Sequence, residues 1–118
     1  MAKATQFAAA AHDVLDLADE AADVADAFVT LAVHAGIAAA DVVCCVRLGR
    51  YSRSENHQDA VALLTAADGD AARHLSSLLR LKTRAGYSPS SVSSQDTVRA
   101  ERAMDALVEL ARGLSTAP

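Results

Sequence analysis

Apolar residues recur along this chain at three- and four-residue intervals, and the intervals fall into five blocks. Phe7, Ala11, Val14, Leu15 and Ala18 share one helical face, with Asp13, Asp16 and Asp19 on others, so the spacing predicts a helix over 4–19. The next block predicts a helix over 22–48, with Val24, Phe28, Leu31, Ala35, Ala38, Ala39, Val42 and Val46 as its stripe. From Ile37 to Val46 only Asp41 interrupts the apolar run. A helix apolar nearly all round is buried on several sides, which places this one at the centre. Its alanines and Gly36 let neighbouring helices come close.

Gly49 suits the end of that helix, with Arg47 and Arg50 beside the negative end of its dipole. A short helix over 57–67 follows, capped by Asn56, with Val61, Leu63 and Leu64 apolar. Asp68-Gly69-Asp70 breaks the pattern, and Asp70 is the expected cap of a fourth helix over 71–86 carrying Leu75, Leu78, Leu79, Leu81 and Ala85. Gly86 to Ser91 closes it. Ser93 or Ser94 opens a last helix over 95–113, with Ala100, Ala103, Met104, Leu107, Leu110 and Ala111 on one side. The fold expected is an all-α, up-and-down bundle of four to five helices in one domain over 1–118, with 113–118 a flexible tail.

Composition agrees with that pattern. Alanine, the best helix former, supplies 28 of 118 residues, against four Phe and Tyr and no Trp. Sandwiches and barrels need β-rich segments and frequent turn residues, and two prolines and five glycines are too few for them. No uncharged apolar run reaches about 18 residues, so the sequence predicts no membrane span. The opening Met1–Phe7 does not read as a secretory signal. Cys44 and Cys45 are adjacent and ill placed to bridge each other, which suits a reducing cytoplasm.

Charge divides the chain. Residues 1–46 carry Lys3 against seven acids, whereas 47–118 carry ten bases against eight. Arg47, Arg50, Tyr51 and Arg53 form the densest basic cluster; with a stacking ring it suits single-stranded nucleic acid, and as an exposed loop it is ordinary surface. Lys82, Arg84 and Tyr87 form a second group, either a cleft for a phosphate or nucleotide or a solvated helix end with the Tyr87 ring buried over the bundle. His34 and Asp41, seven apart, share a helical face and suit a polar core pair or contact with the bases of the fourth helix, His34 reading as a hydrogen-bonded structural histidine. His57 reads as a helix-start residue, and His12 and His74 as surface. No His or Cys pair has ligand spacing, so neither metal nor cofactor is expected. Phosphate-binding glycine loops and nucleophile elbows are absent.

Three segments in order carry a family resemblance. Ala38-Ala39-Ala40-Asp41-Val42-Val43-Cys44-Cys45 is a small-residue-rich second helix, and a basic loop then leads to His57 at the start of the third. Leu78-Leu79-Arg80-Leu81-Lys82-Thr83-Arg84-Ala85-Gly86-Tyr87 is similar to an L…R-x-x-A-x-Y ending. Together, from about His34 to Arg112, they resemble the HEPN (higher eukaryotes and prokaryotes nucleotide-binding) family, with actinobacterial members nearest. The resemblance implies a helical bundle, a homodimer and a nucleotide or RNA ligand. It also implies a nucleotidyltransferase-type partner protein, or the toxin–antitoxin role of HEPN ribonucleases. Those ribonucleases place a histidine four to six residues after an arginine at the end of helix four. Here that region offers Tyr87, and no histidine follows residue 74. Tyrosine, with an ordinary pKa of about 10, is a poor general base at neutral pH. The implied function is therefore a non-catalytic binding or regulatory module. The alternative is a metal-independent ribonuclease with a degenerate motif, using Lys82 or Arg84 with His57 or Tyr87. The ligand residues expected are Lys82, Arg84, Tyr87, Arg50, Tyr51, His57 and Asp41.

Overall fold

The computed structural model describes residues 1–116, and among them every regular element is helical. Helix α1 spans Ala2–Leu17, α2 Ala25–Leu48, α3 His57–Ala67, α4 Gly69–Tyr87 and α5 Ser94–Thr116, with a single 3-10 turn at Ala21–Val24 before α2. The protein is an all-α bundle of five helices.

Local capping sets most of these limits. Gly49 adopts φ 73°, and its N–H donates to the Cys45 carbonyl at 2.9 Å, a left-handed stop that favours a residue without Cβ. Asn56 Oδ1 accepts the Gln58 N–H at 2.8 Å and starts α3. Ser93 Oγ accepts the Asp96 N–H at 3.0 Å while Asp96 accepts the Ser93 N–H at 3.4 Å, a reciprocal box opening α5. The expected cap at Asp70 is corrected: Asp68 Oδ1 accepts the Ala71 N–H at 2.9 Å and α4 begins at Gly69. Asp70 lies inside the first turn, where it meets Arg73 at 2.7 Å. At the far end, α5 runs through Gly113 to Thr116, beyond the expected stop at 113. The last two residues of the expected tail, 117–118, lie outside the described residues.

Helix α2 is the axis on which the bundle is built, touching all four other helices. Phe28, Val29, Val33, Ala35, Ala39 and Val43 are among its buried side chains, a stripe rotated from the one expected. Val46, expected inward, is 51% exposed. In a helix apolar nearly all round, sequence periodicity does not fix the rotation, and the three packed neighbours α1, α4 and α5 decide it. By length and composition Ala21–Leu48 is apolar enough to cross a membrane, but 56% of its most apolar window is buried inside the bundle.

The closest approach along α2 is at Gly36. A Cβ built there would lie 2.3 Å from Leu78 Cδ1 of α4 and 3.4 Å from Leu107 Cδ1 of α5, and both leucines are fully buried. Asp26 Oδ1 accepts the Val92 N–H at 2.9 Å, fixing the α4–α5 loop to the start of α2. Gly36→Ala therefore overpacks the α2–α4 contact. Overpacking costs roughly 1–3 kcal/mol, offset by about 0.5–1 kcal/mol of helix propensity. A net loss of about 1–2 kcal/mol, read as a lower urea midpoint at unchanged slope, is expected.

Candidate functional site

Between α2, α4 and the start of α3 lies an open cavity of about 450 Å³, bordered by the loop that follows Gly49. Helix α2 contributes Ile37, Ala40, Asp41 and Cys44; helix α4 contributes Leu75, Leu79 and Lys82. Ser52, Ser54 and Glu55 enter from the loop, and His57 and Ala60 from the first turn of α3. The lining is mixed: Ile37, Ala40, Ala60, Leu75 and Leu79 are aliphatic, and Asp41, Ser52, Ser54, Glu55, His57 and Lys82 supply polar groups that can orient a ligand.

His57 and Lys82 meet there. Lys82 Nζ lies 3.4 Å from His57 Nε2, a contact in which a neutral imidazole accepts from the ammonium. Lys82 forms no ion pair with a carboxylate among the described residues, so its charge faces solvent and cavity rather than a protein anion. Around this pair the loop is ordered by Ser54, whose Oγ donates to Asp59 Oδ2 at 2.9 Å and accepts the Asn56 N–H at 3.0 Å.

Opposite them, Asp41 is half-buried. Burial pushes its carboxyl above the ordinary carboxylate range, and the positive charge of Lys3 opposes part of that rise. Cys44, one turn on, is buried, and burial pushes its thiol up; the charge of Asp41 adds to the rise, Cys45 adds further, and Arg50 opposes it. A buried thiol with a raised pKa is a poor nucleophile. Cys44 is therefore wall rather than reagent.

The structure brings together three of the seven expected residues: Asp41, His57 and Lys82. Arg84 turns away to Asp96 Oδ2, 3.7 Å distant, and ties α4 to the start of α5. Tyr87 does not bury its ring over the bundle end, being 79% exposed, because the chain turns extended at Ser88 and leaves nothing above it. It shares with Lys82 and His34 a separate recess of about 170 Å³. Arg50 and Tyr51 lie outside the main cavity, and the Arg53 guanidinium sits 5.3 Å over the Tyr51 ring, occupying a face that a base would need. Arg47 lies 3.9 Å from Asp68.

His34 is corrected as well. It is exposed, stacks on Phe7 with ring centroids 5.3 Å apart, and makes no side-chain hydrogen bond among the described residues. His34 and Lys82 line the small recess while Asp41 lines the main cavity, so the expected polar pair of His34 and Asp41 does not form. The sequence reading did not single out Cys44, Ser52, Ser54 or Glu55. Cys44 carried a signal, three residues from Asp41 on one helical face, whereas nothing in the loop's sequence says it folds inward.

No family model matches this chain, and no curated protein or solved structure matches it either. Functional reading therefore rests on the residues and their geometry.

Asp41 gives a direct test of the cavity's electrostatics. With a raised native pKa, the folded state holds a proton that the unfolded state releases, so this group's contribution to stability falls as pH rises from the ordinary value of 3.8 through the native one. Asp41→Asn removes that penalty. Its urea midpoint is expected above wild type at pH 7, with the gap closing as pH drops below about 4.

Proposed function

We propose that this protein is a binding module of HEPN type that holds a nucleotide, or the phosphate of an RNA chain, in the cavity between α2, α3 and α4. The observation that carries the reading is the Lys82–His57 pair, 3.4 Å apart at the edge of a partly aliphatic cavity of about 450 Å³. An ammonium and an imidazole suit a phosphate, and the positive end of α3 lies at the same place. Ile37, Leu75 and Leu79 suit the faces of a base, and Asp41 and Glu55 accept from its amino groups. The site is thus bipolar, as a nucleotide is. Relative to the resemblance, the phosphate-facing group moves from Lys82, Arg84 and Tyr87 to Lys82 and His57.

A ribonuclease is the second reading, favoured by the same imidazole beside a cation. In it His57 Nε2 takes the proton of the RNA 2′-hydroxyl and Lys82 faces the phosphate. The binding reading ranks first because Lys82 already occupies His57 Nε2, the atom that would have to take the proton.

Calorimetric titration with nucleoside mono-, di- and triphosphates and a short RNA separates these readings. Lys82→Ala and His57→Ala are expected to weaken phosphate-ligand binding by roughly tenfold or more, about 1.4 kcal/mol, and Arg84→Ala by less than twofold. Unchanged affinity in Lys82→Ala overturns the reading. Cleavage of the RNA in chelator, lost in His57→Ala, replaces it with the second.

A further inference from the structure

Away from the cavity, α1 and α5 bring one side chain together with two others about 90 residues further along the sequence. His12 Nε2 lies 3.0 Å from Asp105 Oδ1, and His12 Nδ1 lies 3.4 Å from Glu101 Oε2. One donor atom from each of the three falls within 4.8 Å of the others. Donors around a tetrahedral ion with bonds of about 2.1 Å are about 3.4 Å apart, so rotation of these side chains by about an ångström brings the set onto one ion.

Charge supplies an independent reason. Glu101 and Asp105 are one turn apart on α5, a spacing at which like charges repel. Neither is ion-paired with a lysine or arginine among the described residues; each faces only the imidazole. All three are partly shielded, with side chains 40%, 39% and 49% exposed for His12, Glu101 and Asp105. An arriving cation therefore competes only with the His12 contacts and displaces no lysine or arginine. The two helices hold the donors on regular backbone rather than on a loop.

We infer that His12, Glu101 and Asp105 form a surface site for a first-row divalent cation of borderline softness, such as Zn²⁺ or Co²⁺, that clasps α1 to α5. One imidazole with carboxylates favours such ions over Mg²⁺ or Ca²⁺, which take all-oxygen sets, and over soft Cu(I), which takes thiolates. One ring nitrogen binds the ion beside the carboxylate facing it. The second carboxylate leaves the other ring N–H and turns onto the same ion, with water completing the set.

The test is titration of Zn²⁺, Co²⁺ and Mg²⁺ into the full chain after chelator treatment, with a Cys44→Ser/Cys45→Ser double variant to exclude thiol binding and His57→Ala to exclude the cavity. One equivalent of Zn²⁺ is expected in wild type and both controls, at least 100-fold tighter than Mg²⁺. His12→Ala and Asp105→Asn are each expected to weaken it tenfold or more, with unchanged helicity by circular dichroism. As a second readout, trace Mn²⁺ is expected to broaden the amide signals around 12, 101 and 105. Zn²⁺ binding that survives His12→Ala, or no uptake of Zn²⁺ at millimolar concentration, overturns the site and leaves an imidazolium bridging two carboxylates.

Discussion

The distance between α2 and α4 at Gly36 is the constraint on which the rest of the molecule depends. Leu78 occupies the volume that a side chain at position 36 would take, with Leu107 of α5 behind it. Three helices thus meet around one missing Cβ, at a density that leaves little room for repacking. The two helices run antiparallel, Arg47 near the end of α2 lying 3.9 Å from Asp68 before α4. Asp41 and Cys44 follow Gly36 along α2, and Leu75, Leu79 and Lys82 flank Leu78 along α4. The cavity walls are therefore drawn from the same two helices that pack at Gly36.

That arrangement gives the site its character. Asp41 is held half-buried because α2 is the central helix, and the resulting desolvation raises its carboxyl pKa. Lys82 and His57 sit at the edge, where α3 begins. The cavity so combines aliphatic wall, a carboxyl that resists ionisation and a cation with no carboxylate partner among the described residues. Of the other bases of helix four, Arg84 faces Asp96 and Arg73 faces Asp70, while Arg80 lines separate surface recesses. The fold divides a basic run in sequence between structural ion pairs, the cavity and the surface.

What the sequence made legible was local. The limits of α3, the cap at Asn56, the stop at Gly49 and the start of α5 at Ser93 each depend on residues within four positions, and all are as expected. Asp68 caps α4 where Asp70 was expected, a shift of two positions that periodicity is too coarse to resolve. The rotation of α2 was hidden by its own uniformity, so Val46 faces out where the stripe put it in. Non-local pairings were the least readable. His57 and Lys82 are 25 residues apart and His12 and Asp105 are 93 apart, and no spacing rule spans a turn between helices. Tyr87 shows the converse: a sound local argument for a buried ring failed because no neighbouring element arrives to bury it.

The central claim is that an anionic ligand enters beside Lys82 and His57 and nowhere else on the bundle. Amide chemical-shift mapping of the ¹⁵N-labelled chain during a nucleotide titration tests it most directly. The account predicts saturable shifts at His57, Lys82, Asp41 and the Ser52–Glu55 loop, with Tyr87 and Arg99 still. Shifts centred on Tyr51 and Arg53, or on Arg80 and Arg99, would contradict it.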